Sequence, residues 1–162
     1  KEFFKFESDA LEAHNKYRKR HAVTTLELSK DLCDIAQEYA DHLAKTNTFE
    51  HSGDPLYGEN LYWSWSSDPA WVLAGDEPVD SWYDEKKGYN YAREPRDSDS
   101  GHFTQLVWAK SRHLGVGLAK SSSTGKYFVV MKYDPAGNFL GKYRENVNKP
   151  VTFGGKKIGT GK

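Results

Sequence analysis

The sequence predicts an α+β fold, with helices gathered early and a strand pair late. Three observations carry this. An apolar stripe at helical spacing follows Ser29, residues 127–133 form a nearly continuous apolar run, and Asp134-Pro135-Ala136-Gly137-Asn138 supplies turn chemistry directly after it. Helices that precede a late antiparallel hairpin lie against the sheet instead of alternating with its strands.

The first helix is expected from residue 8 or 9 to 20, with Leu11, His14, Tyr17 and Arg18 on related faces and Asp9/Glu12 at capping-box spacing. Ser29 caps the second helix, whose stripe is Leu32, Ala36, Tyr39 or Ala40, and Leu43. A third helix starts near Asp76 with Pro78 in its first turn and Val79, Trp82, Tyr83 and Lys86 along one side. A fourth covers residues 100–110, where Phe103, Leu106, Val107 and Lys110 share a face. Strands are expected over residues 59–65, 114–119 and 127–133, the last nearly continuously apolar as expected of a central strand covered on both faces. Residues 121–126, with Gly125, link the last two as a hairpin.

Residues 1–148 are expected to form a single domain, and residues 149–162, rich in Gly and Lys, a flexible basic tail. A chain of 162 residues buries enough surface to hold a core without staples, and its 5 Trp, 10 Tyr and 8 Phe offset an apolar fraction of only 37%. Lys+Arg and Asp+Glu are 23 each, so no general attraction for nucleic acid exists and none is expected as a partner. Cys33 is the single cysteine, which excludes an intramolecular disulfide and a Cys-rich metal site; on the apolar side of the second helix it fits a small buried hydrophobe. No apolar run reaches the roughly 20 residues that span a bilayer.

Four residues suit chemistry by type and setting: His51 just past the second helix, His102 at the start of the fourth, Glu59 in an aromatic segment and Glu85 after Trp82-Tyr83. Imidazoles at element ends beside carboxylates hold a metal or shuttle a proton, and a Glu desolvated by aromatic neighbours serves as a base. Spacing alone leaves a purely structural role open for each. Gly115-Val116-Gly117 lies inside a strand and is no phosphate loop, and Ser64 and Ser66 stand in no Gly-x-Ser-x-Gly elbow.

Gly101-His102-Phe103-Thr104-Gln105-Leu106-Val107-Trp108 resembles the main signature of the CAP superfamily (cysteine-rich secretory protein, antigen 5, pathogenesis-related 1), and residues 133–139, Tyr-Asp-Pro-Ala-Gly-Asn-Phe, resemble its second. The segments at 13–18, 51–52, 58–61, 81–85 and 89–91 extend the likeness in the family's order over nearly the whole chain. Within the superfamily the chain is most similar to the Golgi-associated plant pathogenesis-related group, which also lacks disulfides. The resemblance implies a three-layer α–β–α sandwich and a central cavity formed by His51, Glu59, Glu85 and His102. It implies weak Zn²⁺ binding by His51 and His102, with water completing the shell. It implies lipids or a membrane surface as partner, a protein partner, and a homodimer. Its location would be cytoplasmic or peripheral on Golgi or other membranes, with secretion as the alternative. The group's proposed nucleophilic serine meets Trp65 here, and no Gly stands near Lys1 for its myristoyl anchor. A binding domain is therefore placed ahead of a metal- or Ser-dependent hydrolase using the same four residues, and ahead of a non-catalytic scaffold.

Overall fold

A computed structural model of the chain describes residues 2–96 and 101–151. Helix α1 (Glu2–Arg20) leads into β1 (Glu27–Leu28), α2 (Lys30–Thr46), β2 (Gly58–Ser64), α3 (Asp76–Tyr83) and a 3₁₀ turn (Asp84–Gly88). Then follow α4 (Gly101–Leu106), β3 (His113–Lys120), β4 (Tyr127–Asp134) and α5 (Tyr143–Asn146). The sheet order is β1-β3-β4-β2, with β1 parallel to β3 and the other pairs antiparallel. Helix α2 covers one face and α1, α3 and α4 the other, giving the expected α–β–α sandwich.

The predicted hairpin is present, and β4, paired on both sides, is buried along its length up to Asp134. Side chains alternate across a strand, so the two faces have separate cores. Leu61, Phe128 and Val130 meet Ala36, Ala40 and Leu43 of α2, whereas Val129, Met131 and Tyr133 meet Trp82, Phe103 and Leu106. Helix α2 starts as expected: Ser29 Oγ accepts the Leu32 N–H at 3.2 Å. Asn47 ends it in the left-handed region (φ 53°), its N–H bonded to Leu43 O. Helix and sheet approach so closely that a Cβ at Gly115 or Gly117 would collide with the backbone of Leu32 or Ala36. This close approach accounts for the Gly-x-Gly pair in a strand. Cys33 is half-buried at this contact, where its Sγ accepts the Val116 N–H.

Three expectations need correction, and two short elements were not foreseen. Helix α1 begins at Glu2, because the stripe Ala10, Ala13, Tyr17 continues upstream to buried Phe6. Asp9 is thus inside the helix, paired with Lys5 at 2.9 Å, and forms no capping box. Helix α4 stops at Leu106, well short of residue 110. The fully buried Arg18 guanidinium ends it by donating to the carbonyls of Leu106, Trp108, Ser111 and Thr24 at 2.7–3.1 Å. Strand β1 and helix α5, two and four residues long, are too short to leave a periodic signal. Of the expected tail, residues 152–162 lie outside the described residues, while the Val151 N–H bonds Arg20 O at 2.7 Å.

Candidate functional site

The four site residues form two His–Glu pairs. His51 Nδ1 donates to Glu59 Oε1 at 2.7 Å, and His102 Nδ1 donates to Glu85 Oε2 at 2.8 Å. Helix α2's exit loop carries His51, the start of β2 carries Glu59, the 3₁₀ turn carries Glu85 and α4 carries His102. Alternation along β2 puts Glu59 on the α2 face with Leu61, and Asn60 on the opposite face with Tyr62. Asn60 Nδ2 donates to the His102 carbonyl at 3.1 Å. The two pairs therefore flank the first residues of one edge strand, joined through adjacent residues Glu59 and Asn60.

The surroundings of the two pairs differ. Glu59 is nearly buried and saturated: besides His51, it accepts the Ser52 N–H at 2.9 Å and Lys132 Nζ at 2.6 Å. Burial alone would push its carboxyl up, but the bonds from His51, Lys132 and Ser52 outweigh it and bring the group down to about 2. Glu59 in turn raises the His51 imidazole above its ordinary value, against a lowering from burial. Lys132 is directly opposite Glu59 in the β2–β4 register and only 1% exposed; Ser52 Oγ accepts its second bond at 3.0 Å. The His102 ring is half-buried and stacked on Trp82, with centroids 5.8 Å apart and planes at 18°. Glu85 also accepts the Phe103 N–H at 3.2 Å, which ties it to the first turn of α4.

A buried relay steadies the second pair. His14 Nδ1 donates to Ala10 O at 2.8 Å, so its Nε2 accepts from the Tyr133 hydroxyl at 2.7 Å, and that oxygen accepts from Asn60 Nδ2 at 3.3 Å. Burial lowers His14 to about 3, so it is neutral, as this pattern requires. Asn138, in the left-handed region, clamps α4 from outside: Nδ2 donates to Gly101 O and Oδ1 accepts from Thr104 Oγ1. The two sequence signatures thus brace each other.

Lys132, Asn60 and Trp82 are the participants that sequence reasoning missed. Lys132 left a signal, a lone charge within an apolar central strand. Among the described residues neither imidazole Nε2 is hydrogen-bonded to another side chain. Nor do three His, Cys, Asp or Glu side chains converge there as a ready metal cage. A groove of about 420 Å³ opens beside Ser52 and Lys132, with Tyr39 and His42 on its α2 wall; none of the four site residues lines it.

Comparison with known proteins bears on the family and the fold. Residues 11–133 match the sequence family described as "CAP: Cysteine-rich secretory protein family". The human Golgi-associated plant pathogenesis-related protein 1 is 41% identical over 150 residues, covering 90% of this chain and 94% of that protein. The secreted protein RBT4 of Candida albicans is 36% identical over 140 residues, and the match spans 84% of this chain but 36% of RBT4. The crystal structure of NaASP2 with Zn²⁺ superposes with a TM-score of 0.69 at 22% identity, covering 89% of this chain and 85% of that one. Relatives thus bear both Golgi-associated and secreted names. The chain belongs to the cysteine-rich secretory protein (CAP) family.

Proposed function

We propose that this chain is a binding domain whose two His–Glu pairs take a divalent cation weakly and which works at a membrane surface. One observation supports the metal reading above others. Each imidazole gives its Nδ1 hydrogen to a carboxylate, which fixes the tautomer, leaves the Nε2 lone pair for a ligand and raises its basicity. Two neutral nitrogens suit Zn²⁺, and two protein ligands make for weak, exchangeable binding. The NaASP2 structure with Zn²⁺ gives this reading a precedent within the fold.

Hydrolysis is the lesser reading, since among the described residues no serine or threonine hydroxyl bonds either imidazole. The membrane reading is supported by Trp63 and Trp65, 44% and 53% exposed on β2 and just beyond it, with Lys126 Nζ 4.6 Å over the Trp63 ring. No described helix is long and apolar enough to cross a bilayer, so contact would be peripheral. A Golgi surface is the preferred location by likeness to the human relative, with secretion second. Protein partners and a homodimer remain part of this reading.

Zinc titration by calorimetry is the test. Measurable heat that His51→Ala plus His102→Ala abolishes supports the site; no heat from the parent chain removes it. Ester or peptide turnover lost on Glu59→Gln would replace the binding reading with the hydrolytic one.

A further inference from the structure

The groove beside the His51–Glu59 pair has a helix wall, a tied loop and a charged floor. Ile35, Glu38, Tyr39 and His42 stand three or four residues apart on α2 and share one side of it, while the exit loop contributes Ser52 and Asp54. The Tyr39 and His42 rings stack, with centroids 5.7 Å apart and planes at 21°. Local bonds fix these walls in advance. The Tyr39 hydroxyl donates to the Glu50 carbonyl, Ser52 Oγ accepts the Asp54 N–H at 3.2 Å, and Asp54 Oδ1 accepts the Leu56 N–H at 2.9 Å. At about 420 Å³ the groove has the capacity of a small-molecule site.

Lys132 supplies a donor that the fold leaves unused. Its ammonium carries three hydrogens. Glu59 Oε2 takes one and Ser52 Oγ a second, and among the described residues no acceptor takes the third. The side chain is 1% exposed yet lines the groove, with Nζ 6.0 Å from the Tyr39 ring centroid. A buried donor without an acceptor carries a desolvation penalty that a ligand oxygen would relieve. The mouth has the opposite need. Exposed Glu38 and half-buried Asp54 have no ion-pair partner among the described residues, and the charge of Lys132 is already matched by Glu59.

We propose that this groove binds a ligand with the chemistry of an arginine or lysine residue: an organic cation with a carbonyl oxygen one side chain away. The carbonyl accepts the third Lys132 N–H, the alkyl stem lies along Tyr39 and Ile35, and the cation sits between Glu38 and Asp54. An anion is repelled at the mouth by two carboxylates, and a neutral apolar ligand leaves the Lys132 donor without an acceptor. A bare metal ion leaves floor and ring wall unused, and among the described residues no three His, Cys, Asp or Glu converge to hold one. None of His51, Glu59, Glu85 and His102 lines the groove, so this site is separate from the metal reading.

A chemical-shift titration of the full chain with N-acetyl-arginine amide, in the presence of a chelator, tests it. N-acetyl-citrulline amide, of the same shape without the charge, is the control. Saturable shifts in α2 and residues 50–56 are expected, with the citrulline probe about tenfold weaker or more. Glu38→Gln/Asp54→Asn should weaken the arginine probe about tenfold and leave a zinc titration unchanged. Lys132→Met should weaken both probes alike, about fivefold, because each carries the carbonyl. The surface pair Glu38 and Asp54 keeps the test open if Lys132→Met misfolds. Free arginine separates the sources of this chemistry: tighter binding than the blocked probe supports a free amino acid, weaker binding a residue within a peptide. Equal affinity for the citrulline probe, no saturable shift, or arginine binding unmoved by Glu38→Gln/Asp54→Asn overturns the proposal. A chain that binds the arginine probe but gives no heat with zinc loses the metal reading and keeps this one.

Discussion

The two faces of the sheet are built on opposite principles. On the α2 face the contact is made by removing side chains: Ala36, Ala40 and the strand glycines Gly115 and Gly117 let two backbones approach. On the other face it is made by large groups, Trp82, Phe103, Trp108 and Tyr133, among which His14, Arg18 and His21 are fully buried. The first face tolerates no added volume and holds few polar groups. The second buries polar groups and has to satisfy each one. The difference teaches where a fold of this kind is fragile: steric on one side, electrostatic on the other.

Changes that invert each principle test this contrast. The largest effect is expected from Gly115→Val, whose side chain must displace the Leu32 backbone; a loss of about 4 kcal/mol or failure to fold should appear in thermal melts. Next is acid sensitivity on the polar face. His14 is held near 3 when folded against 6.5 when free, so the unfolded chain binds the proton more readily. Stability should therefore be full above pH 6.5 and fall by roughly 4 kcal/mol as pH drops from 6.5 toward 3. His14→Gln should flatten that part of a urea-midpoint profile against pH. An unchanged slope would assign the acid response to other groups.

The third prediction concerns a buried charge on the steric face. Lys132→Met leaves Glu59 with His51 and Ser52 only, and should cost about 2 kcal/mol; Lys132→Arg should recover part of it. If the Met variant matched the parent, the α2 face would prove indifferent to polarity as well. The smallest effect is expected from Ser29→Ala, which removes one cap bond and should cost about 1 kcal/mol.

Much of this was legible in the sequence, for identifiable reasons. Helix α2 and the β3–β4 hairpin announced themselves because Ser29, the Leu32–Leu43 stripe and the Asp134-Pro135 turn act locally. The end of α4 did not, because it is set by Arg18, which lies 88 positions from Leu106. Likewise the four candidate residues were nameable from their segments, but not the split into His51–Glu59 and His102–Glu85. That split follows from the β2–β4 register and from alternation at Glu59 and Asn60, which only the assembled sheet determines. Lys132 shows the limit most clearly. Its apolar neighbours marked a strand, and nothing local told that the one charge in it would face a carboxylate from another strand.

Strand β2 lies at the open edge of the sheet and contributes to both His–Glu pairs through consecutive residues. Edge strands are where local opening costs least. Peeling back the first residues of β2 would release the His51 imidazole from Glu59 and the His102 carbonyl from Asn60 in one event, so the two halves of the site should exchange their amide hydrogens as a unit. A ligand bridging them would then slow exchange at Glu59 and Asn60 together, which makes deuterium uptake in this strand a direct gauge of occupancy.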